Sequence, residues 1–172
     1  AKLRALAAEA GRDRSQLLVF ALVTVITAAT DAEAEARFAD YKQYASSSGA
    51  LALMGGWTGI DFSKPELINA TAATSNAIEG AAAAFTAGGS SAHQDVESIG
   101  RAVALGGGGP VLVGGPQRIA DQLEAWAEMA DLDGFNLAYA VMPETFVDVV
   151  EHLVPELQRR GLLQKDYAPG PY

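Results

Sequence analysis

The sequence predicts an α/β fold built on a small parallel sheet covered by helices. The run Leu17 to Thr27 is apolar on both faces, which is how a strand sandwiched between helical layers reads. The order strand, helix then recurs with strands expected at 111–113 and 135–141, and that alternation implies parallel pairing through crossovers.

Taken in order, Ala1 to Ala10 reads as an amphipathic helix with Leu3, Leu6, Ala7 and Ala10 on one face. Gly11-Arg12-Asp13-Arg14 stops it and turns the chain into the first strand. Thr30-Asp31-Ala32-Glu33 then forms a capping box, in which Thr30 accepts from a free backbone amide and Glu33 reaches back to the cap residue. The helix it opens carries Glu35, Arg37, Phe38 and Tyr41 and is expected to end near Ser46 to Gly49.

Residues 49–109 break the rhythm. Gly55 to Phe62 is glycine-rich, Ile78 to Phe85 is an Ala-rich helical stretch, Gly88 to Ser91 a loop, and Asp95 to Leu105 a further helix ending in Gly106 to Gly109. The segment reads as one long insertion carrying short helices. Alternation returns with Val111-Leu112-Val113, the turn Gly114-Gly115, and Pro116 at a first helical position, where its missing N–H is no loss. Ile119, Leu123, Trp126 and Met129 mark one face of that helix, and a last strand through Tyr139 leads by Met142-Pro143-Glu144 into a helix from Thr145 to about Arg160. The chain therefore divides into 1–48, the insertion 49–109, and two strand–helix units over 110–172.

Three parallel strands leave two open edges, whereas a (β/α)8 barrel closes with eight strands in roughly 250 residues. The count, and a first residue placed in mid-helix with no initiator Met, lead us to expect an arc of a larger protein.

Composition narrows the function classes. A formal charge of −9, with only 12 Lys and Arg and no basic cluster beyond Arg159-Arg160, offers no footprint for nucleic acid or anionic lipid. Absence of cysteine removes disulfides and thiolate metal sites. No run is long enough to span a bilayer and no signal-peptide pattern opens the chain, so a cytoplasmic location is the expectation. His93 and His152 lack ligand-spaced neighbours, which makes them surface histidines and leaves no metal site. Gly106 to Gly109 lacks the Lys-Ser/Thr ending of a phosphate loop.

Several stretches in order carry a specific resemblance: Thr30 to Ala36, Gly55-Gly56-Trp57-Thr58-Gly59-Ile60-Asp61-Phe62-Ser63, Val113-Gly114-Gly115-Pro116-Gln117-Arg118-Ile119 through Leu123, Asp133 to Ala140, and Val154 to Leu162. Together they resemble the bacterial-luciferase-like flavin-dependent monooxygenase superfamily, in the branch with nitrilotriacetate, dibenzothiophene-sulfone and dimethyl-sulfide monooxygenases. The resemblance implies the C-terminal part of a (β/α)8 TIM barrel, about strands six to eight, with a helical insertion. It also implies a two-component enzyme that takes reduced FMN from a separate NAD(P)H:flavin reductase and oxidises a small sulfide, sulfone or aminopolycarboxylate with oxygen, and that forms a homo-oligomer. The serine-containing segment that holds the flavin phosphate in such enzymes would lie upstream, so this portion alone is expected to be inactive. Two departures stand out. Ala21-Leu22 and Val25 replace a Pro-Gly pair and a later proline, and Ser90 to Asp95 replaces an aromatic-rich loop.

Barrel active sites lie at the C-terminal ends of the strands. That rule makes Leu22, Thr24, Ile26, Gly114, Asn136, Tyr139 and Met142 the cofactor or substrate-pocket candidates, with Thr24 and Asn136 the polar ones. Packing of the barrel interior competes as an explanation for each. Trp57 and Phe62 are lid candidates, with the neighbouring glycines as hinges. No catalytic residue is assigned. Two other readings stay open, a non-catalytic assembly piece that pairs through its open strand edges and an F420-dependent oxidoreductase on the same barrel.

Overall fold

A computed structural model describes residues 2–59, 61–63, 100–101, 103–106, 109–166 and 170. The chain forms two compact units, one of 1–41 with 109–172 and one of 42–108. The sequence expectations at 64–99, including the Ala-rich helix, the 88–91 loop and His93, fall outside the described residues.

The first unit carries the sheet. Helix α1 (Lys2–Glu9) and a 3-10 turn (Arg14–Gln16) precede β1 (Phe20–Thr27), and helix α2 (Asp31–Tyr44) leaves it. Strand β2 (Val111–Gly114), helix α4 (Pro116–Ala130) and strand β3 (Gly134–Ala138) follow the second unit. The last helix runs in three pieces, α5 (Glu144–Asp148), a π-helical turn (Val149–Leu153) and α6 (Val154–Arg160). Helix α3 (Ser47–Thr58) lies in the second unit.

All strand pairs are parallel, and the order is β2-β1-β3. Three successive staves of a barrel would put β2 in the middle; instead β1 is central. Its N-terminal half pairs with β3, from Phe20 against Gly134 to Thr24 against Ala138, and its C-terminal half with β2, from Thr24 against Val111 to Thr27 against Gly114. Eight residues in β1 against four in β2 allow this division, since the short strand can satisfy only part of the long one.

Alternation along β1 sorts its side chains onto two faces. Val23 and Val25 face the helices and form the core with Ile119, Ala120 and Leu123 of α4 and Val149 and Leu153 of the last helix. Trp126 closes that layer against Phe135, with ring centroids 5.3 Å apart. Phe20, Leu22, Thr24 and Ile26 point to the other face, where Phe20 and Leu22 are 58% and 46% exposed while Thr24 and Ile26 are buried. The strand is thus covered on both faces only in its C-terminal half, and it starts at Phe20 rather than Leu17. Residues before it are held otherwise: the Val19 amide donates to Asp133 at 2.7 Å, and Leu18 is exposed.

Local signals act as expected at two helix starts. Thr30 and Glu33 bond each other's backbone amides at 3.2 Å, completing the capping box, and Pro116 occupies the first turn of α4. Elsewhere tertiary structure overrides them. The proposed apolar face of α1 is in solvent at Leu3 and Leu6, and the helix is held by its polar side: Arg4 bridges Asp131 at 2.8 Å and Asp133 at 2.5 Å. Met129 is 82% exposed, because ten residues beyond Ile119 the helix has turned about 80° off the buried face. Strand β3 ends at Ala138 because the Ala140 and Val141 amides turn to Thr145 Oγ1 instead of a neighbouring strand.

The π-helical turn has a cause in the sequence. Pro155 lacks an N–H for the carbonyl four residues back and would crowd it, so the backbone widens ahead of it, and the Val154 amide bonds Val149 five residues earlier.

The carboxylates that staple these elements set an acid limit. Val19 and Arg4 hold Asp133 below its ordinary value, Arg14 does the same for Asp131, and Arg159 with Arg160 holds Glu156 at about 2 against an ordinary 4.5. A depressed carboxylate stabilises the fold above its unfolded pKa, and that stability is lost as pH falls through the folded value. The thermal midpoint should therefore decline from about pH 4.5 toward 2, with a shallower slope in Glu156→Gln. A midpoint that is level over this window in the parent protein would refute the assignment.

Candidate functional site

The C-terminal ends of the strands meet a rim of short polar contacts. Thr27 Oγ1, fully buried, donates to the Gly114 carbonyl at 2.9 Å and ties β1 to β2. The Gly115 amide at the start of α4 donates to the Asp31 carboxylate at 2.6 Å. A Cβ at Gly115 would stand 3.2 Å from the Asp31 backbone nitrogen, and one at Gly114 would meet the Arg118 side chain at 2.8 Å. The two glycines thus let the starts of α2 and α4 approach closely. With Asp31 already on this amide, an external phosphate here would meet a like charge.

Beside the rim lies a cleft of about 570 Å³, lined by Ala28, Arg37, Tyr41, Glu144 and His152 among others. Arg37 joins the two strand–helix units: Nη1 donates to the Thr27 carbonyl at 3.2 Å and pairs with Asp148, whose side chain is 11% exposed. Tyr41 donates to Glu144 at 3.0 Å, and its hydroxyl pKa is pushed up to about 12, first by burial and then by that carboxylate. Sequence reading did not single out this group. The one available signal was the four-residue spacing of Arg37 with Tyr41, and of Glu144, Asp148 and His152, each set on one helix face.

The sequence candidates separate. Leu22, Thr24 and Asn136 lie on the sheet face opposite the core, with Leu22 in register with Asn136 and Thr24 in register with Ala138. Asn136 and Leu22 are exposed; Thr24 is buried, and its hydroxyl has no hydrogen-bond partner among the described residues. Tyr139 and Met142, 57% and 59% exposed, follow the end of β3, and Tyr139 packs its ring on Phe146 at 6.0 Å. Gly114 belongs to the rim. Among the described residues no group of three or more His, Asp or Glu side chains could hold a metal ion.

The lid candidates lie in the second unit. Gly55 and Gly56 are inside α3, not in a hinge loop, because Ser46 caps that helix and its backbone bonds run through to Gly59, left-handed at φ 68°. Trp57 is in the last turn, 39% exposed, and Phe62 is buried beside a groove of about 430 Å³ with Leu51, Ala52 and Asp61.

The luciferase-like monooxygenase family model matches residues 1–132. The chain belongs to that family. It is 44% identical to dimethyl-sulfide monooxygenase of Hyphomicrobium sulfonivorans over 98% of its own length and 35% of the relative's. Its identity to long-chain alkane monooxygenase of Geobacillus thermodenitrificans is 37% over 99% of this chain and 34% of that one. Among solved structures, DmoA from Hyphomicrobium sulfonivorans superposes with a TM-score of 0.77 at 42% identity, over 98% of this chain and 36% of that chain. A riboflavin lyase crystallised with modified FMN and riboflavin gives a TM-score of 0.79 at 28% identity, over 96% and 37%. The chain spans about a third of the length of these relatives. No helix among the described residues is long and apolar enough to cross a membrane.

Proposed function

We propose that this chain forms part of the flavin and substrate chamber of a two-component monooxygenase that uses reduced FMN from a separate NAD(P)H:flavin reductase. The observation that carries the reading is the sheet face opposite the helices, open at Phe20, Leu22 and Asn136 and covered at Thr24 and Ile26. Helices cover the Val23–Val25 face, while Phe20, Leu22, Thr24, Ile26 and Asn136 form an opposite face that is apolar with two polar groups, the composition of a ligand wall.

In this reading β1 and β3 are adjacent staves of a (β/α)8 barrel, supported by their pairing from Phe20 to Thr24. β2 seals the C-terminal half of β1, and residues 49–109 are an insertion. Bound reduced flavin would supply oxygen activation. The residues of this chain orient the ring and keep water away: Leu22 by apolar contact, Asn136 by hydrogen bonds, and Tyr139 and Met142 at the mouth, with the buried Thr24 and Ile26 shaping the same strand face.

The test is oxygen uptake by the complete protein with FMN, a flavin reductase and NADH, against a panel of organic sulfides, sulfones and aminopolycarboxylates. Uptake coupled to product in at least one class is expected. Reductase-driven peroxide release alone, with no oxygenated product across the panel, would count decisively against the proposal.

A further inference from the structure

The chain has three methionines. Met54 is buried in α3, whereas Met129 and Met142 are 82% and 59% exposed. Each is a dialkyl thioether, the functional group of the organic sulfides named above, and each becomes a sulfoxide on taking up one oxygen atom. Attack by peroxide diffusing through solvent follows exposure, which puts Met129 ahead of Met142 and both far ahead of Met54.

The two exposed sulfurs belong to opposite ends of the sheet. Met129 is in the last turn of α4, and the turn that follows is tied to the start of β1, where the Asp133 amide donates to the Val19 carbonyl at 2.9 Å. Met142 comes four residues after the end of β3, at the side of the sheet where barrel enzymes carry their active sites. The backbone there is pinned: the Ala140 and Val141 amides donate to Thr145 Oγ1, and the Thr145 amide donates to the Val141 carbonyl at 2.9 Å. Strand β3, five residues at about 3.3 Å each, holds the two ends roughly 15 Å apart.

We infer that Met142 is a site of self-oxidation: its thioether competes with substrate for the oxygen atom delivered at the strand ends and becomes a sulfoxide in preference to the more exposed Met129. This rests on the flavin reading above. One atom of O2 forms the sulfur–oxygen bond, the other leaves as water, and the two electrons and two protons come from reduced FMN. Proximity reverses the order set by exposure, because a group held at the site meets the oxidant at a far higher effective concentration than solvent peroxide reaches.

The experiment incubates the complete protein with FMN, a flavin reductase, NADH and isotope-labelled oxygen, without substrate and with catalase to destroy free peroxide. Peptide mass spectrometry reads labelled sulfoxide at each methionine. A second sample in hydrogen peroxide alone supplies the Met142-to-Met129 ratio that solvent access sets. In turnover that ratio is expected to be at least about fivefold higher.

A smaller rise would overturn the inference, because exposure alone would then account for the oxidation. So would absence of labelled sulfoxide from Met142 when catalase is present, which would make free peroxide the oxidant. A parent protein that binds no FMN removes the flavin reading itself, and this inference with it, a result distinguishable from the other two.

Discussion

Replacing Arg37 by Met should lower the stability of the complete protein by about 3 kcal/mol. The guanidinium is the shared partner of the Thr27 carbonyl and the Asp148 carboxylate, and the Asp148 side chain is only 11% exposed. Removing Arg37 leaves a largely desolvated carboxylate with no cation beside it, and the cost of an uncompensated charge exceeds what the pair itself contributes. Arg37 is 27% exposed and its contact to Glu144 is long, at 3.9 Å, so the low end of the range for buried pairs applies. The double variant Arg37→Met with Asp148→Leu should recover most of the loss, because it removes the stranded charge as well. Urea unfolding midpoints of the two variants check this. A single variant within about 0.5 kcal/mol of the parent, or a double variant as weak as the single, would show that the pair does not join the α2 and α5 units.

Leu153→Ala should cost about 3 kcal/mol, the mid-range for a buried leucine reduced to alanine. Leu153 is 0% exposed and packs with Val23, Val25 and Ile119 at the junction of the sheet, α4 and the last helix. Its loss opens a cavity bounded by strand and helix backbones that have little freedom to close in. Val150, in the same π-helical turn but 62% exposed, is the internal control, and Val150→Ala should stay within about 0.5 kcal/mol of the parent. Equal losses at the two positions in thermal or urea unfolding would mean that the widened turn presents a different face to the sheet.

The fold was legible in the sequence wherever a short-range rule was sufficient. Thr30 and Glu33 form their box, Pro116 opens α4, and the strands expected at 17–27, 111–113 and 135–141 are found at 20–27, 111–114 and 134–138, because caps, prolines and strand patterns act over a few residues. The helix expected from Thr145 to about Arg160 forms, and the interior Pro155 adds to it a π-helical turn that the sequence reading did not include.

The site was legible in part. Strand-end placement led to Leu22, Thr24 and Asn136, which do share one face, but the rule could not tell that Thr24 is sealed while Asn136 is open. It also missed Arg37, Tyr41, Glu144 and Asp148. Each helix shows its own four-residue spacing, but which helix faces which is a contact over about a hundred residues.

By itself the sequence determined the strand–helix alternation, the cap chemistry and membership of the luciferase-like monooxygenase family, since those reside in local residue order and in motifs read along the chain. Only tertiary structure decided that β1 is the central strand, that the apolar side of α1 is left in water while Arg4 anchors it, and that one buried threonine hydroxyl has no hydrogen-bond partner among the described residues. The physical reason is that parallel pairing, burial and hydrogen-bond satisfaction are properties of surfaces brought together from distant parts of the chain, and no local pattern records which surfaces those are.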